Sequence, residues 1–419
     1  MLNFDDLLSP IKTYKKIALG VSGGPDSLAL MLIVAKWAAK IDKAPQVIVY
    51  SIDHKLRPNS DKEVAYVIAQ AKKLGLKARA LSWQGKKPAT GIQEKARIAR
   101  YQLIKQAMQK DKAQILLTGH HAYDQAETIL MRMAHSSGIK GLGGMNKFSK
   151  VEGVKIFRPL LEISPTLLHE IVDSSDLKAI NDPSNENKKF ERIRWRKILP
   201  ALFELGLDER QFSIFSKRIK RANDALEENC LASFEKITTI DNLGILHIDR
   251  QSFNNLSQEI KIRTLQKTIR YIGNDAKPFA LAKIEQLSTK MQDTENFKKL
   301  TLHKCNIAIK GNYFEISKEL SYLPKKNIIL NAGERVFWDN RFIIENISLK
   351  EKINISSSIN INRANLRDMP SFITSSPMSN IRSAPLIRDN EKNIIALGTH
   401  IINKDKTIKV RNIFTQNGL

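Results

Sequence analysis

The chain has 419 residues, 42% of them hydrophobic, with a formal net charge of +25 and a pI near 9.8. That length predicts two or three domains with real cores, and the basic excess, spread along the whole chain, selects polyanionic partners such as nucleic acid or an anionic surface. The longest apolar run, Leu28 to Ala35, is too short to span a membrane, the acidic N-terminus has no signal-peptide layout, and Cys230 and Cys305 stand far apart, which argues against a zinc or iron–sulfur site and for reduced thiols.

In chain order, Lys16 to Val21 reads as a buried strand that ends in a Gly-rich turn, and Asp26 to Ala39 as a helix. Strand Gln46 to Ile52, helix Asp61 to Leu74, strand Lys77 to Ser82, helix Ile92 to Gln109, strand Gln114 to Thr118 and helix Tyr123 to Ala134 follow. This alternation predicts a parallel, doubly wound α/β sheet. It stops near Pro159, after which Thr166 to Ser174, Phe190 to Leu205 and the basic stretch Asp208 to Cys230 read as helices. Helices Ser257 to Ile272 and Ala280 to Met291 precede a hairpin from Leu302 to Ile316 turning at Gly311-Asn312. Short strands fill the rest, with turns at Asn331–Gly333 and Pro385. The expected organisation is a catalytic domain over 1–208 and two smaller α+β domains, 209–322 and a β-rich 323–419.

The sharpest signal is Ser22-Gly23-Gly24-Pro25-Asp26-Ser27, between a strand and a helix. Glycines let backbone approach an anion, and the helix offers unpaired N–H groups and the positive end of its dipole. Ser22 and Ser27 add hydroxyls, and Asp26 beside a phosphate makes sense when Mg²⁺ bridges them. An ordinary helix N-cap uses the same residue types. No Walker A pattern is present. Asp53 ends the second strand, in Asp53-His54-Lys55-Leu56-Arg57-Pro58, next to that loop, where doubly wound sheets bind ligands. Arg97 and Arg100 share a helix face suited to phosphates or to solvent. In Gly119-His120-His121-Ala122-Tyr123-Asp124-Gln125-Ala126-Glu127-Thr128, Asp124 and Glu127 also share a face. Two acids so close repel unless they serve a cation, either an ammonium group or Mg²⁺; a His-His-Asp metal site is the rival chemistry. Arg192, Arg194, Arg196 and Lys197, with Trp195 between them, form a basic helix of the kind that contacts RNA.

These segments carry a family resemblance. The loop resembles the SGGxDS signature of PP-loop ATP pyrophosphatases (the adenine nucleotide alpha hydrolase-like fold) over residues 14 to 135. The DHKLRP turn, Glu94 to Tyr101, the HHxxDQxET-like segment, Arg158-Pro159-Leu160-Leu161, Asn181-Asp182-Pro183-Ser184-Asn185 and Phe190 to Arg196 together resemble tRNA(Ile)-lysidine synthetases. Lys55 replaces a usual Gly, Ile193 replaces a usual Asn, and Thr301-Leu302-His303-Lys304-Cys305 stands where the family has TLGGC. The resemblance implies that ATP, with Mg²⁺, adenylates the first anticodon cytidine of tRNA(Ile), and that L-lysine then displaces AMP to give lysidine. It implies catalytic roles for Asp26, Asp124, Glu127 and Arg97. Residues 22–27, Asp53 and Arg100 would bind nucleotide, Asp26 the metal, Arg192, Arg194 and Arg196 the RNA, and the later domains would dock tRNA in the cytoplasm. Two other enzymes and one non-enzyme compete. A PP-loop tRNA thiolase needs a cysteine near the loop, a small-molecule amide synthetase needs no basic field, and a non-catalytic RNA-binding protein needs no phosphate loop.

Overall fold

The structure, a computed structural model, describes all residues except 1, 56–58, 86–90, 181–190, 275–279, 368, 403–406 and 416–419. Segment Asn181 to Asn185, Phe190, and Leu56 to Pro58 therefore lie outside the described residues. The chain divides into two compact units, Met1–Asn223 and Asp224–Leu419.

In the first unit, a short helix α1 (Phe4–Leu8) leads into β1 (Lys16–Gly20), α2 (Pro25–Ala38), β2 (Gln46–Asp53), α3 (Ser60–Lys73), β3 (Lys77–Ser82), α4 (Ile92–Asp111), β4 (Ile115–Thr118), α5 (Ala122–Ala134), α6 (Ile139–Leu142), β5 (Phe148–Val151), β6 (Val154–Phe157), α7 (Pro165–Asp173) and α8 (Glu191–Glu204). α9 (Glu209–Ile237) runs on through the boundary between the units. The sheet order is β3-β2-β1-β4-β6-β5, parallel throughout except for the antiparallel pair β5–β6. Both faces of β1 are buried, as its continuous apolar run requires. Ile17 and Leu19 pack into one core with α2, and Ala18 faces a second core with Tyr50, Tyr101, Ile104 and Met108. The chain leaves β1 toward β2 on one side and meets β4 on the other. The loops after β1 and β4 thus flank the crevice where strand order reverses, the place where ligands bind such sheets.

The alternation legible in the sequence holds to within two residues at each end. It missed the β5–β6 hairpin, whose two-residue turn places Glu152 at φ 49 and Gly153 at φ 83, the positive-φ pair that hairpin turns demand.

The second unit begins with β7 (Thr238–Ile240), β8 (Leu246–Asp249), α10 (Arg250–Asn254), α11 (Gln258–Gly273), α12 (Leu281–Gln292), β9 (Leu300–Leu302), β10 (Cys305–Lys310) and β11 (Tyr313–Lys318). These strands form an antiparallel sheet, β7-β8-β11-β10-β9. The hairpin turns at Gly311-Asn312 as expected. Then come β12 (Ile328–Leu330), β13 (Arg335–Trp338), β14 (Phe342–Asn346), β15 (Ile353–Ser357), α13 (Ser371–Thr374), α14 (Met378–Ile381), β16 (Pro385–Arg388), β17 (Ile394–Leu397), β18 (His400–Ile401) and β19 (Ile408–Asn412), in sheets β12-β15-β16-β17-β18 and β13-β14-β19. Pro385 opens a strand and does not make a turn, a position where its missing N–H is tolerated.

The boundary expected at 322 falls inside this unit. Leu243 and Ile245 share a core with Ile361, Leu366, Ile381 and Leu397. Arg341, with no exposed surface, bonds Asp339 at 2.7 Å and donates to the Ser383 carbonyl at 2.6 Å. Lys318, 2% exposed, donates to the Gly273 carbonyl at 2.6 Å and lies 3.6 Å from Asp339. Both cysteines are buried and free.

Candidate active site

The phosphate loop leaves β1 at Gly20 and enters α2 at Pro25, which sits at the first helical position, where a missing N–H costs nothing. Gly23 has φ 92, and a side chain there would lie 2.5 Å from Ile180 Cδ1; its carbonyl accepts from the Ile180 N–H at 2.9 Å. Ser27 Oγ closes the turn, donating to the Gly24 carbonyl at 2.9 Å, while the Ser22 N–H donates to it at 3.2 Å. Ser22 is exposed at this turn, while the Ser27 hydroxyl is buried within it.

The β4 loop packs onto that turn. A side chain at Gly119 would stand 2.9 Å from the Asp26 carbonyl oxygen, so only glycine lets the two loops approach. His120 Nδ1 meets Thr118 Oγ1 at 2.8 Å. Burial first, and then the charges of Arg158, Arg192 and Arg97, push its pKa down to about 4 against the pull of Asp124, leaving it neutral. His121 caps α5 through Nδ1, which accepts the Tyr123 N–H at 3.2 Å. The cap places the ring proton on Nε2, which lies 3.5 Å from Asp26 Oδ2 and 3.6 Å from Asp124 Oδ2. Burial opposes charge on this ring, but the bond to Asp26 and the charge of Asp124 outweigh it and raise its pKa. The sequence offered the two histidines only as part of a rival metal site and gave neither a role in capping or in contact with Asp26. It also passed over His169, whose Nε2 lies 3.6 Å from Asp26 Oδ1.

Asp124 and Glu127 do share a cationic partner, and it belongs to the chain itself. Arg192 spans both acids at 2.5 Å, and Arg196 Nε donates to Glu127 Oε1 at 2.6 Å. Burial pushes the Asp124 carboxyl up, but Arg192, His121 and His120 pull it further down, below its ordinary range. Glu127 is fully buried with both oxygens engaged by the two arginines. Arg192 and Arg196, one turn apart on α8, point at the acids, while Arg194 is exposed on another side of the helix; the basic helix is not one uniform surface. Gln125, between the acids, serves the scaffold. Its Nε2 donates to the Met145 carbonyl and to Ser216 Oγ at 3.1 Å, and its Oε1 accepts the Met145 N–H at 2.7 Å.

Asp53, 8% exposed, is committed to its own turn, accepting from the Lys55 N–H at 2.8 Å and Ser60 Oγ at 2.7 Å. Burial raises its pKa less than those two bonds lower it. Lys55 stands at φ 51, so the lysine takes up the left-handed backbone that a glycine would supply. Arg100 Nε reaches His54 Nε2 at 3.4 Å, and Arg97 lies over the Tyr101 ring at 5.4 Å. Arg158 is buried, donating to the Asn146 carbonyl at 2.9 Å and Ser149 Oγ at 2.7 Å.

The family model of the PP-loop domain matches residues 2–202. A tRNA(Ile)-lysidine synthase of Bradyrhizobium sp. (strain BTAi1) is 37% identical over 69% of this chain and 82% of its own length. One from Rhodopseudomonas palustris is 38% identical over 67% and 82%, and one from the Wolbachia of Brugia malayi 31% identical over 81% and 79%. The chain belongs to the tRNA(Ile)-lysidine synthase family. It is an ATP-dependent ligase. Among the described residues no helix is long and apolar enough to cross a membrane.

Proposed function

We propose that ATP lies across the β1–β4 crevice with its phosphates on residues 22–27, and that this site joins L-lysine to the first anticodon cytidine of tRNA(Ile). The observation that carries the reading is the line Asp26–His121–Asp124, with His121 and Asp124 buried, which links the phosphate loop to the acid pair within 3.6 Å at each step. Mg²⁺ fits the loop. Asp26 Oδ1 is buried without a hydrogen-bond partner among the described residues, and no cluster of three or more ligating side chains occurs among them. Magnesium held by one carboxylate and substrate phosphates matches that donor set. Bound there, it would neutralise charge on the departing pyrophosphate.

The chain's own groups do the rest. The first turn of α2, Ser22 and Ser27 hold phosphate oxygens, and Arg97 and Arg100 neutralise the far side of the nucleotide. The exocyclic oxygen of the cytidine attacks the α-phosphorus, pyrophosphate leaves, and the oxygen becomes a good leaving group as AMP. The ε-amine of lysine, deprotonated, then attacks ring carbon 2, and AMP departs. Asp124, anionic and adjacent to His121, receives the amine. Glu127 holds Arg192 and Arg196 beside it, where their partly open guanidiniums meet the anticodon phosphates, and Arg194 contacts RNA from the exposed side of α8. The second unit, 224–419, docks the body of the tRNA, and the cytoplasm, where tRNA is found, is the place of action.

The deciding experiment incubates the protein with ATP, radiolabelled lysine and total tRNA. Label in RNA, dependent on ATP, is the expected result; no transfer at saturating lysine refutes the assignment.

A further inference from the structure

The antiparallel sheet of the second unit has two unlike faces. Cys305, Ile307, Phe314 and Ile316 point into the core. On the other face the strand period brings together Asn306, Ala308 and Lys310 from β10 with Tyr313, Glu315 and Ser317 from β11, paired Asn306↔Ser317 and Ala308↔Glu315. His247 of β8 stands opposite Glu315 and meets the Tyr313 ring edge-on at 6.1 Å. Tyr313 is 45% exposed. Pro377, Ser379 and Asn380 roof part of this face and close a cavity of about 230 Å³ that Lys299 also lines. At its floor Glu315 is only 8% exposed. Its Oε1 accepts from Asn380 Nδ2 at 2.7 Å, but Oε2 is buried with no hydrogen-bond partner among the described residues, only a long ion pair to the Lys310 ammonium at 3.7 Å.

A buried carboxylate oxygen with no hydrogen bond and only a long ion pair is under-satisfied. We propose that this cavity receives one unpaired base of the tRNA, whose exocyclic amine donates to Glu315 Oε2. The inference rests on the functional reading above for the identity of the RNA, and on the pocket for the base. The cavity falls below the roughly 300 Å³ at which drug-sized pockets begin, which suits a single planar ring. Tyr313, exposed on the same sheet face two residues from Glu315, offers a stacking surface beside the cavity, and Lys299 and Lys310 in its lining supply charge for the flanking phosphates; unpaired RNA bases are read by such combinations of aromatic faces and edge contacts. Cytosine, adenine and guanine carry the required amine. Uracil does not, and it would present a carbonyl to the carboxylate.

The test uses the full chain and short single-stranded RNAs of one base type, followed by fluorescence anisotropy. Oligo-C and oligo-A bind about tenfold tighter than oligo-U, the scale of one hydrogen bond to a charged group. Glu315→Gln, which keeps an acceptor for Asn380, erases that preference. Tyr313→Leu, at an exposed position, weakens all three about tenfold by removing the stacking surface. No preference for amine-bearing bases, a preference that survives Glu315→Gln, or unchanged binding by Tyr313→Leu overturns the proposal. Lysidine formation by the unaltered protein is scored separately. Its absence would sink the functional reading and leave the oligonucleotide result standing.

Discussion

At the residue scale, three lysine and histidine side chains occupy backbone that glycine favours. Lys55 sits at φ 51, and His303 and Lys304, in the turn between β9 and β10, at φ 46 and 65. The family pattern has glycine at each of these places, and the fold has kept the glycine conformation while losing the residue. Left-handed backbone costs an L-residue roughly 1–2 kcal/mol, partly offset because glycine loses more entropy on folding. Lys304→Gly should therefore raise stability by a few tenths to about 1 kcal/mol, seen as a higher midpoint in thermal unfolding; a lower midpoint would mean that the Lys304 ammonium over the Tyr322 ring, 5.4 Å away, matters more than the strain. Asp26 makes a sharper case. Asp26→Ala should abolish pyrophosphate release while leaving tRNA affinity within a few-fold of the parent, because the carboxylate faces the phosphate loop. Normal pyrophosphate release by that variant would remove the loop from the mechanism.

At the element scale, α5 is where the sequence was most informative and least complete. Asp124 and Glu127 were legible as a cation-seeking pair from their spacing alone. Their partners were not, because Arg192 and Arg196 lie more than sixty residues away in sequence and pattern reasoning has no access to contacts of that range. Gln125 was equally opaque. An amide on a helix gives no sign that it will tie down the 143–145 segment and Ser216. The strands β1, β2 and β4, by contrast, were readable one by one, since each is a nearly continuous buried apolar run. The β5–β6 hairpin escaped only because the Glu152-Gly153 turn was not weighed. The two acids should now separate by experiment. Asp124→Asn should raise KM for lysine with little loss of fold. Glu127→Gln should loosen α8, lowering stability by about 1–3 kcal/mol, the cost of leaving charged partners under-bonded, reduced here because both guanidiniums are partly open to solvent. Limited proteolysis after residue 190 would report the loosening, and equal resistance in both variants would count against the clamp.

At the scale of the whole molecule, the first compact unit runs to Asn223 and not to 208. Phe212 packs with Ala126, Ile129 and Leu199, and Ser216 bonds both Gln125 and the Gly143 carbonyl. A fragment ending near Gly206, complete by sequence pattern, would cut through that packing. One ending at Asn223 should fold, keep ATP binding and lose most affinity for tRNA. Phosphate contacts release counterions, so affinity falls with salt in proportion to their number. Filter binding across a salt series should give the fragment a clearly shallower slope than the full chain; equal slopes and affinities would remove residues 224–419 from RNA docking.

The buried ion network of the second unit bears on how such chains change length over time. Lys318 is sealed by Asp339, and Arg341 by Asp339 and Ser383, so the last hundred residues and the sheet before them hold each other's charges. A gene that lost the code beyond residue 322 would leave the Lys318 ammonium without its carboxylate and would bare Leu243 and Ile245 to water. Shortened relatives should therefore carry compensating replacements at the positions of Lys318, Leu243 and Ile245, three columns in which descent by truncation can be told from descent by shorter original design.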